Sequence, residues 1–202
     1  MMDPRSASEM LAKYGTREKL LNMTMEDLLK LYPEGERILA PDPNHILVKD
    51  LYKDLLSGSR ADAVAVKRCL WILSRDCGFL PRRALVGLAA DIAEHVRHHM
   101  FDYRSTVTLD AAHTFAKEGT AFDFVDKTLR DAKWACFAAV HGSRTSLYAA
   151  NAAYFAGMSG RVPMAVNYAS TAVLNAVEGE GGTVKAYQQQ LGLLRAMEGM
   201  FG

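Results

Sequence analysis

Cysteine, net charge and long apolar runs are all scarce in this 202-residue chain, and each scarcity excludes something. The three cysteines, Cys69, Cys77 and Cys136, show no Cys-x-x-Cys spacing. That argues against a disulfide framework or a cysteine-based zinc knot and for a reducing compartment. A formal net charge of +1 lacks the basic excess of a dedicated nucleic-acid binder, so no nucleic-acid partner is expected. No run of about 18 uncharged apolar residues occurs, so no membrane span is expected. The nearest approach, 132–158, keeps Lys133, His141 and Arg144 and reads as a buried helical hairpin. The first residues are polar with both charge signs, which predicts no signal peptide and a cytoplasmic protein. Gly-x-Ser-x-Gly, Ser-x-x-Lys with its companion motifs and the phosphate-cradling Gly-rich loop are missing too, leaving nucleophilic catalysis without a motif. No segment alternates with period two for long enough to predict a strand.

What is present is alanine at helical spacing. Ala132, Ala135 and Ala139 form one set, Ala149, Ala153 and Ala156 a second, and Ala165, Ala169, Ala172 and Ala176 a third. Steps of three and four place each set on one helix face. A side chain that stops at Cβ lets facing helices approach at the short end of roughly 8–10 Å. Half the residues are hydrophobic and 23% are charged, enough for a true core. The expected fold is all-α, an antiparallel helical bundle with alanine-lined interfaces preceded by short N-terminal helices.

Residues 1–58 are expected to form that short-helix segment and 59–202 the bundle, with a break near 57–60. Thr16, Thr24 and Asn44 are predicted N-caps, and Thr24 with Asp27 forms a capping box. In the bundle the spacing predicts helices over about 60–76, 81–100, 108–117, 121–141, 144–158, 162–177 and 183–200. Gly119 is the expected stop after the third of these, and the acidic, Gly-rich run 178–182 reads as a flexible linker.

The strongest chemical candidate is the run from Asp91 to His99. On a continuous helix Asp91, His95 and His98 share a face, and His95 and His99 stand four apart, a spacing that suits two imidazoles on one cation. With His113 from the next helix these residues could hold zinc or iron, although the paired Glu-x-x-His signature of di-metal bundles is missing. A plain reading is a solvated, histidine-rich helix end. Lys67, Arg68, Arg75, Arg82 and Arg83 form a basic group for a phosphate or acidic partner, or an ordinary mixed surface given Asp62 and Asp76. Trp71, Trp134, Phe137, Tyr148, Tyr154, Phe155 and Tyr168 fall in apolar stripes and are expected in the core. Alternatively Tyr148, Tyr154 and Tyr168, with Asn151 and Asn167, could line a small-ligand pocket between alanine faces.

The run 109–120, the alanine-rich helices after it and the last helix over 186–197 resemble the alanine-rich, immunity-protein-like helical domains of bacterial and phage proteins, across about residues 65–198. The resemblance implies a protein that works by binding another macromolecule in bacterial or phage conflict, in the cytoplasm of a bacterium or of a phage's host. It supplies no catalytic residues. The leading expectation is a non-enzymatic interaction protein that inhibits or scaffolds a protein partner, with the N-terminal helices as contact elements and no resident cofactor. The alternatives are a metal-dependent bundle enzyme or sensor built on the histidines, and a bundle that binds a nucleotide-like ligand. Homo-oligomerisation stays open.

Overall fold

Side-chain caps set where several of the helices begin. In the computed structural model, which describes residues 22–32, 46–57, 63–75, 80–119 and 121–197, Thr24 accepts the Asp27 amide at 3.2 Å and starts α1 (Met25–Leu31). The predicted caps Thr16 and Asn44 lie outside the described residues. α2 (Val48–Ser57), α3 (Ala63–Leu73) and α4 (Arg82–Glu94) follow, then α5 (Tyr103–Glu118), α6 (Asp123–Ala139), α7 (Arg144–Met158), α8 (Ala165–Val177) and α9 (Thr183–Ala196). The described residues are thus all-α. Their one extended feature is an isolated antiparallel bridge between Thr24 and Leu47.

Contacts divide the chain into two groups: the described residues up to Arg75 with those from Leu194 onward, and Leu80–Leu193. The break expected near 57–60 falls inside the first group. In that group Met25 and Val48 donate their amides to Ile46 and Met23, each at 2.9 Å. The Tyr52 hydroxyl donates to the Leu194 carbonyl at 3.1 Å, and Arg195 Nε to that of Leu56 at 3.1 Å. Met23, Met25, Leu28, Leu51, Tyr52 and Leu56 are buried there. Most large apolar side chains of the described N-terminal helices are therefore buried, while Leu29, Leu31 and Leu55 are half-buried.

The second group is the alanine bundle, and α7 is its central helix, touching α4, α5, α6 and α8. Ala149, Ala150, Ala152, Ala153, Ala156 and Gly157 are all buried on it, so small residues line one broad face, about 160° of its circumference. α8 presents Ala165, Ala169, Ala172 and Ala176, all buried, and also packs on α4. The sequence-predicted seams are present, with Ala139 only half-buried. From α9, Gln190 accepts the Ser170 hydroxyl at 2.7 Å inside the bundle.

Two helix bounds differ most from expectation. α5 begins five residues early, because Asp102 accepts the Arg104 amide at 3.0 Å and caps it; as expected, Gly119, at φ 69°, ends it. α4 stops at Glu94 instead of running to residue 100. From His95 the chain tightens to i→i+3 bonds and closes in a 3₁₀ turn, Arg97–His99. Val and His are weaker helix formers than the Leu and Ala before them, and the burial of Val96 and Met100 draws the chain inward.

Candidate metal centre and interaction face

The end of α4 breaks the geometry on which the histidine run was read. With no α-helix beyond Glu94, His95 and His99 are not related by an α-helical turn. The five predicted ligands instead separate. His113, on α5, sits 3.6 Å from Asp91 and 3.3 Å from Glu94, both on α4. Arg97 enters the same group, 2.7 Å from Asp110 and 3.3 Å from Glu94. A guanidinium among these carboxylates supplies the positive charge that a cation would otherwise bring. Burial raises the Asp91 carboxyl above its usual range, opposed by the nearby His113 and reinforced by Glu94. His95 belongs to neither group; burial lowers its imidazole, and Lys185 and His98 add to that.

His98 and His99 lie side by side on the 3₁₀ turn, ring centroids 3.9 Å apart, and a residue outside the predicted set joins them. Glu180 ends the short 3₁₀ turn after α8, closed by Gly181 at φ 68°. Its Oε1 stands 3.4 Å from His99 Nε2, and one ligand atom from each of the three residues lies within 4.8 Å of the others. No local spacing in the sequence links position 180 to 98 and 99, and the Gly-rich run around it reads as a linker.

Of the predicted basic group, Lys67, Arg68 and Arg75 belong to the first group of helices and Arg82 and Arg83 to the second. Arg75 is 3% exposed, its guanidinium 4.2 Å over Trp71 and 5.2 Å from the Tyr32 ring, with Nε donating to the Trp71 carbonyl at 2.9 Å. Arg82 lies 3.7 Å over the Phe122 ring. Arg83 donates to the Ala116 and Lys117 carbonyls and so serves the C-terminal end of α5. Lys67 is exposed and Arg68 half-buried on α3. The tyrosine–asparagine set flanks the alanine seams: Tyr148, Asn151, Tyr154 and Asn167 are half-buried, and Tyr168 is exposed with its ring 5.3 Å from that of Phe155. Arg144 covers Tyr148 at 5.5 Å.

The aromatic residues supply a feature that the sequence reading placed inside. Trp71 is buried, but Trp134 and Phe137 are 59% and 54% exposed, with ring centroids 5.7 Å apart. Phe101 and Tyr103, at the start of α5, are 81% and 74% exposed, and Val107 and Val140 are exposed as well. The Thr108 hydroxyl donates to the Thr128 carbonyl at 3.1 Å between α5 and α6. Asp102 acts electrostatically on Cys136, and Asp131 on Arg104, so the start of α5 and the end of α6 lie together. The alanine register contained the signal. At 100° per residue, positions 134 and 137 stand about 200° from Ala132 and Ala135, on the opposite face.

Comparison with known proteins finds no matching family model, no matching curated protein and no matching solved structure.

Proposed function

We propose that this protein works by binding another protein through the aromatic face at the start of α5 and the end of α6, inhibiting or scaffolding its partner without a reaction of its own. The observation that carries the reading is the exposure of Phe101, Tyr103, Trp134 and Phe137 at one end of one helix pair. At about 200 Å² per aromatic side chain, these four expose roughly 500 Å². That is near the top of the ~300–600 Å² expected for the largest patch on a monomer, and more than half of the ~800 Å² each partner gives a stable interface. Aromatic anchors also dominate binding energy where such faces close.

The surroundings indicate the partner's chemistry. Asp102 and Arg104 pair at 2.6 Å beside the face, and Asp131 and Lys133 stand on α6. A rim of both signs fits an apolar protein surface ringed by mixed charge better than a polyanion. The immunity-like resemblance supplies the setting, bacterial or phage conflict. The test is parallel capture from bacterial lysate with the wild-type chain and with a Trp134→Asp, Phe137→Asp double variant. A stoichiometric protein held by the first and lost by the second, both with native circular dichroism, supports the reading. A partner retained equally by both overturns the assignment of this face.

A further inference from the structure

We propose that His98, His99 and Glu180 form a binding site for one divalent metal ion of the zinc class, which fastens the end of α4 to the end of α8. The ligand set is two imidazoles and a carboxylate, the donor chemistry of zinc sites that keep a position for water. The spacing of two of the ligands suits it. For metal–ligand bonds of roughly 2.0–2.2 Å, two ligands on a tetrahedron stand about 3.3–3.6 Å apart. His99 Nε2 and Glu180 Oε1 are separated by 3.4 Å.

A second observation points the same way. His99 Nε2 is shielded from solvent and has no hydrogen-bond partner, although the Glu180 oxygen is so near. The nitrogen and the oxygen are close without the alignment of a hydrogen bond, and an ion held by both atoms would satisfy the two together. His98 is exposed beside them, leaving a side of the site open to water. Of the charges near the site, Glu178 faces Arg144 at 3.8 Å, Arg97 pairs with Asp110, and Lys185 acts on His95. α4 and α8 are in contact along the bundle, so an ion here would join two turns that follow packed helices.

The site is independent of the aromatic face, and its test reads binding directly. Metal-stripped, full-length protein is titrated with Co²⁺ near neutral pH, followed by visible absorption, and the ion is then displaced with Zn²⁺. One equivalent should bind, with the spectrum of a tetrahedral site, and Zn²⁺ should displace it. Glu180→Gln and His99→Ala should each weaken binding at least tenfold with circular dichroism unchanged, whereas His113→Ala should leave it intact. Failure of the wild-type chain to take up one equivalent, or uptake that survives Glu180→Gln, overturns the proposal. Uptake that depends on His113 does the same, by moving the ion to the Asp91–Glu94 group.

Discussion

The same substitution made at two glycines should change stability in opposite directions if α7 is as tightly enclosed as the structure shows. Gly157 on α7 and Gly192 on α9 are both helical, and replacing either with alanine gains up to about 1 kcal/mol of helix propensity. At Gly192 nothing lies within 4 Å of the added Cβ, so the gain should be realised. At Gly157 the new carbon would stand 2.7 Å from Leu129 Cδ2 on α6 and 3.0 Å from Thr108 Cγ2 on α5. Carbon atoms rest at ~3.5–4.0 Å, so Leu129 would have to retreat by roughly 1 Å. Leu129 is buried, and the Thr108 hydroxyl donates to the carbonyls of Arg104 at 3.0 Å and Thr128 at 3.1 Å. Overpacking of this kind costs about 1–3 kcal/mol, which outweighs the propensity gain. Gly157→Ala should therefore destabilise by about 1 kcal/mol and Gly192→Ala stabilise by nearly as much. For a chain of this length each kcal/mol moves Tm by about 2–4 °C. Urea and thermal unfolding followed by far-UV circular dichroism measure both. Equal stabilisation by the two variants would refute the close meeting of α5, α6 and α7.

Two solution measurements probe other regions. Burial pushes the Cys136 thiol up to about 11 and Cys69 to about 12, so Cys136 should alkylate about 100-fold more slowly than an unperturbed thiol at mildly alkaline pH, and Cys69 more slowly still. Peptide mapping after timed iodoacetamide labelling checks this, and free-thiol rates at Cys136 would contradict its burial. His95 titrates below its ordinary 6.5, chiefly through burial, so on acidification the unfolded chain takes up its proton before the folded one. Its contribution to stability is present above pH 6.5 and lost as the pH falls through the lowered folded value. Asp102 and Asp126, held low by hydrogen bonds from Arg104 and Arg161, act only below the ordinary carboxylate range. Between pH 7 and 5.5 the urea midpoint of His95→Gln should therefore fall less than that of wild type; parallel falls would show that His95 is not shielded.

Much of the fold was legible because it is written in local repeats. The buried positions on α7 and α8 follow alanine steps of three and four, and Ser143 caps α7 by accepting the Ser146 amide at 3.1 Å, just before the predicted start at 144. The site was legible only where the local rule held. Reading His95 and His99 as partners assumed an unbroken helix, and the assumption fails where buried Val96 turns the chain. Glu180 reaches the histidines through packing of α8 against α4, a contact between segments some eighty residues apart that one sequence does not display. Arg75 reads as surface charge because arginine usually is; Trp71 lies only four residues before it, but the Tyr32 ring comes from a distant segment.

The two groups of helices bury different mixtures of side chains, and that difference decides which apolar residues stay outside. The N-terminal group buries Met23, Met25, Leu28, Tyr52, Leu56, Leu70 and Ile72 almost completely, and the bundle buries Ile92 and Leu109 as fully. The N-terminal helices are short and would be marginal alone, so they depend on burying bulky apolar groups. The bundle also uses methyl-sized contacts around α7, gaining stability from close backbone approach and many small dispersion contacts. The alanine faces around α7 leave little room for a ring, and the phenyl rings the bundle does bury, Phe115 and Phe122, pack against each other with centroids 5.2 Å apart. On α6 the inner face is taken by Val125, Thr128, Leu129, Ala132 and Ala135, and Trp134 and Phe137 are turned outward by the helical period. Exposed rings contribute little to folding, since their apolar area stays in water until something covers it. The alanine interior thus leaves the bundle's most exposed aromatic rings, Phe101, Tyr103, Trp134 and Phe137, on the α5–α6 face, where under the proposed function covering them would yield binding energy rather than folding energy.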